Sequence, residues 1–99
     1  MKYPIRTLPI NLRKNGFDYT QVSRGERSFV YAQHGTPSVT YYEVFLLKIS
    51  REKCINGKII EARERFPSNE DFGYSAWIYR SLVRAREKFE VLEGGGDGE

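Results

Sequence analysis

FPSNEDFGYSAWIYRSLVRAREKF, residues 66–89, shows how this chain closes into a domain. The stretch follows the strongest hairpin signal in the sequence, and it carries the only Trp together with the clearest amphipathic pattern. It predicts a long loop after antiparallel strands, and then a helix that packs on the sheet. It does not indicate a reaction.

Two structures fit this stretch. In the first, Ser68 and Asp71 form a capping box, with Asp in place of the usual Glu, and begin one long helix. In the second, residues 67–73 are a loop, residues 75–80 are a short strand, and Ser81 caps the closing helix. The Trp-Ile-Tyr cluster favours the second, because aromatic and β-branched residues prefer strands. In both structures the helix turns one apolar stripe to the sheet: Leu82, Ala85, Phe89 and Leu92.

Residues 39–53, upstream of this stretch, form the longest predicted strand. Its middle, VFLL at residues 44–47, is apolar at every position, whereas a half-exposed strand would alternate. We therefore expect a central strand that is covered on both faces. Asn56-Gly57 follows, and Lys58 begins a return strand, which is the pattern of a type I′ hairpin turn.

That turn predicts a register in which Ile55 faces Lys58. The same register makes these further pairs: Ile49 with Glu64, Ser50 with Arg63, and Lys48 with Arg65. One face of the hairpin thus collects Lys48, Arg63 and Arg65, although like charges placed opposite each other are unfavourable. These side chains either form a basic patch or splay apart as an ordinary solvated face.

The N-terminal half predicts two more strands, residues 17–23 and 28–34, joined by a glycine-containing turn. Before them, residues 1–14 contain two prolines and several basic residues, and they predict an extended arm. The arm is either a loosely tied terminus or a basic segment that touches phosphates. We expect a single domain over residues 15–93, followed by a flexible Gly-rich tail, residues 94–99.

Composition limits the classes of protein to which the chain can belong. With 99 residues there is room for one domain, and residues 1–93 carry a net charge of +5 because the tail holds two acids and no base. Cys54 is the only cysteine, so no internal disulfide can form, which fits a reducing cytoplasm. The N-terminus has no continuous apolar segment, so we expect a cytoplasmic protein without a membrane partner.

Motifs that carry chemistry are not found in the sequence. His34 is the only histidine, and no Ser, Cys or carboxylate stands at a recognisable catalytic spacing from it. Cys54 stands beside the hairpin turn, and we expect it to be a small strand residue. Nucleotide-binding loops and metal-ligand patterns do not occur. We therefore expect no enzyme, no cofactor and no metal site.

The arguments for nucleic acid are charge and aromatic residues. Arg80, Arg84 and Lys88 recur every four positions and predict a basic stripe on the helix side. Three strand tyrosines would stack on bases if they are exposed: Tyr31, Tyr41 and Tyr42. Arg and Tyr also anchor protein interfaces, and acids interleaved with the stripe suit a plain solvated face.

Four pieces of the chain carry a resemblance to a known group: NGFDYTQVSRGERSFVYAQ (residues 15–33), YEVFLLKI (42–49), ERFPSNEDFGYSAWIYRSL (64–82) and AREKF (85–89). The chain resembles small uncharacterised proteins encoded by bacteriophages and integrated mobile elements. The specific part of the pattern is FPSNEDFG-x-x-AW-x-Y. The resemblance implies a phage or mobile-element setting and carries over no activity, cofactor or site residue.

These observations together predict an α+β domain with an antiparallel sheet of four or five strands and one C-terminal helix packed on one face. Trp77 and Phe89 should lie in the core or at its edge. The leading hypothesis is a small accessory protein that binds nucleic acid through its basic surface. The alternative is a protein-interaction module, either an inhibitor or an assembly subunit, and either monomeric or homodimeric.

Overall fold

The computed structural model describes residues 5–35 and 39–94, and within them the chain forms an α+β domain. The strands are β1 (Asn11–Lys14), β2 (Phe17–Arg24), β3 (Ser28–His34), β4 (Thr40–Leu46), β5 (Ile49–Ser50), β6 (Lys53–Ile55), β7 (Lys58–Ile60), β8 (Arg63–Glu64) and β9 (Ala76–Tyr79). A five-stranded antiparallel sheet has the order β1-β2-β3-β4-β9, and β5 pairs with β8 and β6 with β7. The helix α1 (Leu82–Leu92) packs against β3, β4 and β9, which confirms the predicted fold class.

The closing segment adopts the second of the two predicted structures. β9 pairs with β4, and α1 begins after Ser81, whose side-chain oxygen accepts a hydrogen bond from the Arg84 backbone N–H at 3.3 Å. The predicted capping box also forms, since the Ser68 backbone N–H donates to Asp71 at 2.9 Å. It caps only a single 3-10 turn, because Phe72 is extended and Gly73 takes a φ of +92° that redirects the chain.

β4 is the covered central strand that the sequence predicts. It lies between β3 and β9, and its successive residues Val44 and Phe45 are both buried although they face opposite sides. Val44 packs beneath α1 with Ala85, whereas Phe45 packs against Phe66 on the other side. The sheet therefore has two apolar clusters, one under the helix and one under the loop after β8.

The prediction of one long strand over residues 39–53 is wrong for its second half. β4 ends at Leu46, because Ser28 at the start of β3 faces Leu46 and Ala76 at the start of β9 faces Phe45. Beyond that level the pairing fades: Leu47 still donates its backbone N–H to the Arg27 carbonyl at 2.7 Å, but no strand pairing follows it among the described residues. The chain leaves the sheet there and continues as the separate strands β5 and β6.

The predicted hairpin register is confirmed in both short sheets. Ile55 faces Lys58 across a turn in which Asn56 and Gly57 have φ of +51° and +79°. Five residues further from the turn, the same register pairs Ser50 with Arg63, as expected from the Asn-Gly position.

A second Asn-Gly turn joins β1 to β2, and the sequence interpretation did not use it. Asn15 and Gly16 have φ of +54° and +83°, and β1 forms the last part of the segment predicted as an arm. Further upstream, Arg6 donates its backbone N–H to the Ala62 carbonyl at 3.0 Å. The described part of that segment is thus extended and hydrogen-bonded to the domain. Residues 1–4 and the tail from residue 95 lie outside the described residues.

Candidate functional site

The six predicted binding residues lie in three places in the structure. Lys48, Arg63 and Arg65 belong to the β5–β8 region, where Leu47 and Phe66 pack on the sheet face opposite α1. Arg84 and Lys88 lie on α1 itself. Arg80 precedes the helix and stands over the Tyr41 ring at 5.7 Å, at the other end of β4 from Lys48. The predicted helix stripe therefore does not continue into the hairpin patch.

Two of the three hairpin cations share one carboxylate. Lys48 Nζ lies 3.2 Å from one Asp71 oxygen, and Arg65 lies 3.6 Å from the other. The pKa of Asp71 is lowered, first by the hydrogen bond from the Ser68 backbone and then by the one from Lys48. Part of the charge of this patch therefore stabilises the loop that covers the sheet.

Arg63 is the centre of a more open basic surface. With Arg6 and Arg65 it lines a cavity of about 420 Å³, and with Arg6 it also lines a neighbouring cavity of about 300 Å³. We call this surface, defined by Arg6, Arg63 and Arg65, the basic groove. Within the described part of the chain, Arg6 makes only a 4.0 Å contact with the partly exposed Glu61, and Arg63 has no ion pair. Such exposed side chains remain available to an anionic partner.

Glu64 also lines the groove, but its charge is already balanced. Arg24 donates to its two carboxylate oxygens at 2.8 and 2.5 Å, and the Leu8 backbone N–H donates to it at 2.8 Å. The Arg24 hydrogen bonds hold the pKa of Glu64 below its usual range, even though its burial acts in the opposite direction. The pair fastens the N-terminal segment to β8 and leaves the groove with net positive charge.

Residues 51–60 form the most exposed element beside the groove. Every residue in this range is exposed, and among the described residues its strands β6 and β7 pair only with each other. We call this range the ribbon. The pairing places four side chains on one face: Lys53, Ile55, Lys58 and Ile60. Cations and aliphatic residues therefore alternate on a single exposed surface, which the sequence interpretation did not select although the Asn-Gly turn marks it.

On the side of the sheet that α1 covers, basic side chains lie over aromatic rings. Lys88 Nζ stands 4.0 Å above the Trp77 ring, and Trp77 is half-buried on the sheet face that α1 covers. Trp77 thus lies at the edge of the core, as predicted. Because Lys88 and Arg80 each cover an aromatic ring, cation–π attraction holds two of the three stripe residues against the domain.

The tyrosines predicted to stack on bases do not form an exposed platform. Tyr31 is fully buried, and its hydroxyl donates to the Pro9 carbonyl at 2.6 Å. It therefore does not meet the condition of exposure on which its predicted stacking depended. Tyr41 and Tyr42 are half-buried, and Tyr42 packs in the cluster beneath α1. The sequence interpretation overlooked Tyr74, whose exposed fraction is 83%.

A second polar feature lies inside the domain at Glu43, in the centre of β4. Glu43 is 4% exposed, and one of its oxygens accepts from Gln33 at 3.2 Å and from the Tyr19 hydroxyl at 3.4 Å. Burial raises the pKa of Glu43, and the nearby Lys14 charge partly opposes that rise. The sequence did contain a signal for this buried carboxyl. Glu43 directly precedes the apolar run at residues 44–47, within the strand that was predicted to be covered on both faces.

His34 and Cys54 remain isolated in the structure. His34 is exposed and its Nε2 lies 3.3 Å from the Thr20 hydroxyl, and Cys54 is exposed on the ribbon. Within residues 5–35 and 39–94, no three His, Cys, Asp or Glu side chains group closely enough to hold a metal ion. In the same residues, no helix has the length and apolar character needed to cross a membrane.

Comparison of the chain with protein-family models, with curated proteins and with solved structures finds no match. A functional proposal therefore depends on the geometry of the basic groove and of the ribbon.

Proposed function

We propose that the protein binds nucleic acid through the basic groove and the ribbon, as a small accessory protein of a phage or mobile element. The observation that carries the proposal is the position of Arg6 and Arg63. They come from distant parts of the chain, meet through a bridge between their backbones, and line both cavities beside the ribbon. Exposed guanidinium groups without strong partners suit phosphate oxygens, which arginine binds in a bidentate manner.

The ribbon supports the same proposal by its dimensions. Each of its strands has three residues, or about 10 Å at roughly 3.3 Å per residue. The major groove of B-form DNA is about 8.5 Å deep and about 12 Å wide, and it admits a two-stranded ribbon. Lys53 and Lys58 would meet phosphates, while Ile55 and Ile60 would lie against base edges.

A protein partner is the second candidate, and exposed aliphatic residues favour it. Ile55, Ile59 and Ile60 on the ribbon are 48%, 52% and 39% exposed. No other strand of the described chain pairs with the outer edges of the ribbon, and such open edges can template pairing with another strand. A homodimer joined through two ribbons is one form of this candidate.

The deciding experiment is binding to labelled single-stranded DNA, duplex DNA and RNA across a salt series. The double variant R6Q/R63Q removes two charges from the basic groove. The matched control R84Q/R86Q removes two charges from exposed positions on α1. We expect micromolar binding that weakens as salt rises, with R6Q/R63Q much weaker and R84Q/R86Q close to the wild type.

Absence of binding at low salt, or an equal loss in both variants, would contradict the proposal. Light scattering on the same samples addresses the second candidate. Self-association that I55T/I59T abolishes, without nucleic-acid binding in the wild type, would favour the homodimer.

A further inference from the structure

One face of the ribbon combines two positive charges with two aliphatic side chains. The register places Lys53 opposite Ile60 and Ile55 opposite Lys58, so these four side chains share that face, and all of them are exposed. We call it the Lys–Ile face. Within β6 and β7 it carries no acid, so its charge is complementary to the phosphates of a nucleic acid.

The Lys–Ile face continues into the basic groove. Ile60 lines the cavity of about 300 Å³ together with Arg6 and Arg63. Glu61 also lines it, and this acid contacts Arg6 at 4.0 Å. A nucleic acid whose phosphates pair with the two arginines would therefore present its bases to the neighbouring ribbon.

The aromatic residues near the groove argue against single strands. Proteins that bind single-stranded nucleic acid stack the bases on exposed aromatic rings. The ribbon contains no aromatic residue, and Phe66, which lines the groove, packs its ring against Tyr19, Tyr31 and Phe45. Duplex RNA is also unsuitable, because its major groove is too deep and narrow for side chains to read. Duplex DNA remains, since its major groove admits a two-stranded ribbon.

Aliphatic side chains limit which part of a base the Lys–Ile face can contact. In the major groove each base pair presents hydrogen-bond donors and acceptors, and thymine adds a methyl group at C5. Ile55 and Ile60 have no polar side-chain atom, so they cannot pair with those donors and acceptors. They can bury the thymine methyl, which is an apolar contact.

The spacing of the two isoleucines matches the stacking of bases. They are diagonal neighbours across the ribbon, since Ile60 lies two residues beyond Lys58, the partner of Ile55. Diagonal Cβ atoms are about 7 Å apart, and two base steps of about 3.4 Å each cover the same distance. The two side chains can therefore reach methyl groups that lie two base steps apart.

We propose that the Lys–Ile face enters the major groove of duplex DNA and favours sites that present thymine methyl groups to Ile55 and Ile60. This inference rests on the proposed function, and it adds the class of nucleic acid and the chemical group that is read. The arginines of the basic groove supply affinity for any sequence, because they pair with phosphates, and the isoleucines supply the preference.

Replacement of thymine by uracil tests the preference, because uracil lacks only the C5 methyl group. Two DNA duplexes of the same sequence, one with thymine and one with deoxyuridine at every such position, are titrated with the full chain by fluorescence anisotropy. We expect the thymine duplex to bind about fourfold to sixteenfold more tightly, since each of two buried methyl groups contributes roughly fourfold, or about 0.8 kcal/mol. The ratio should not change with salt, because the contact is uncharged, whereas both affinities should fall.

Two variants assign the preference to the ribbon. I55S/I60S should lower the ratio to about one and keep the salt dependence, because every Lys and Arg remains. The matched control is I78S on β9, since Ile78 is 47% exposed and Ile55 is 48% exposed, and it should keep the wild-type ratio. Circular dichroism checks the fold of each variant, and the two wild-type titrations decide the question even if I55S/I60S does not fold.

Equal affinity of the wild type for the two duplexes would overturn this inference and leave the proposed function in place. A wild-type ratio in folded I55S/I60S would also overturn it, as would tighter binding to single-stranded DNA or RNA than to the thymine duplex. Absence of binding to all of these nucleic acids at low salt would contradict the proposed function, and this inference with it.

Discussion

At the scale of single residues, the Arg24–Glu64 pair joins the N-terminal segment, β2 and β8. Glu64 is 5% exposed and Arg24 is 39% exposed in their side chains. We expect R24M to lower the free energy of unfolding by about 1–2 kcal/mol, because it leaves a buried carboxylate without its counter-ion. This loss is smaller than for a fully buried pair because solvent screens the charge of Arg24. Urea unfolding at neutral pH measures the loss.

The matched control is R13M at the Arg13–Asp18 pair. Its ion pair has an N–O distance of 2.8 Å, but both side chains are 66% exposed. Its loss should stay below about 0.5 kcal/mol, as for other surface pairs. Equal losses in R24M and R13M would show that the burial of Glu64 does not matter.

Glu43 predicts a pH dependence of stability. Because burial raises its pKa in the folded protein, Glu43 binds a proton more readily there than in the unfolded chain. The stability contributed by protonation is fully present below the unfolded-state pKa of about 4.3, and it is lost as pH rises through the folded pKa. The free energy of unfolding of the wild type, relative to E43Q, should therefore fall as pH rises through that range.

Urea unfolding of the two proteins across a pH series checks this prediction. Glu64, Asp71 and Glu93 have lowered pKa values and act in the opposite direction, but they are present in both proteins and cancel in the difference. Tyr19 and Lys14, the other titratable groups near Glu43, are also shared. A difference that stays constant, or that rises with pH, would be inconsistent with a raised pKa.

At the scale of elements, the start of α1 depends on one side chain. Ser81 Oγ accepts the hydrogen bond that the Arg84 backbone N–H would otherwise lack. S81A should lower the free energy of unfolding by about 1 kcal/mol, whereas S81G should lower it by only a few tenths. Thermal unfolding of both variants by circular dichroism measures the two losses. If S81G is as damaging as S81A, the cap is not the cause.

The hairpin register was predictable from local sequence patterns, whereas the end of the long strand was not. Asn56-Gly57 predicted a register that holds through Ser50 and Arg63, because turn geometry and pleating are local properties of the chain. The end of β4 at Leu46 was not predictable in the same way. It depends on where β3 and β9 begin, which is a property of the assembled sheet.

At the scale of the whole molecule, the distribution of charge predicts how the affinity for DNA depends on salt concentration. If the wild type binds duplex DNA, the slope of log K against log salt should decrease in magnitude by about 1.8 in R6Q/R63Q, since each lost phosphate contact contributes about 0.9. R84Q/R86Q should leave the slope almost unchanged, although the net charge changes equally. Fluorescence anisotropy across a salt series measures both slopes. The same decrease in both variants would mean that net charge, and not the groove, sets the affinity.

The predicted basic residues lie on opposite sides of the sheet, and this too is a property of the whole molecule. Their spacing along the chain gave no information on which side of the sheet each would lie. Arg84 and Lys88 follow α1 to one face, whereas Arg63 and Arg65 follow β8 to the other. Arg6 joined the groove through pairing of residues 57 positions apart, which no local pattern indicates.

The amino-acid sequence by itself determined the α+β class, the closing helix, the Asn-Gly register and the apolar stripe of α1, and it favoured a closing strand over a longer helix. These follow from hydrophobic periodicity, capping and turn chemistry, which act over a few neighbouring residues. Only the tertiary structure decided that Arg6 and Arg63 meet, that Tyr31 is buried, and that one Glu43 oxygen has no hydrogen-bond donor among residues 5–35 and 39–94. Those outcomes depend on which distant segments cover each face of the sheet, and long-range packing of that kind leaves no periodic signal in the chain.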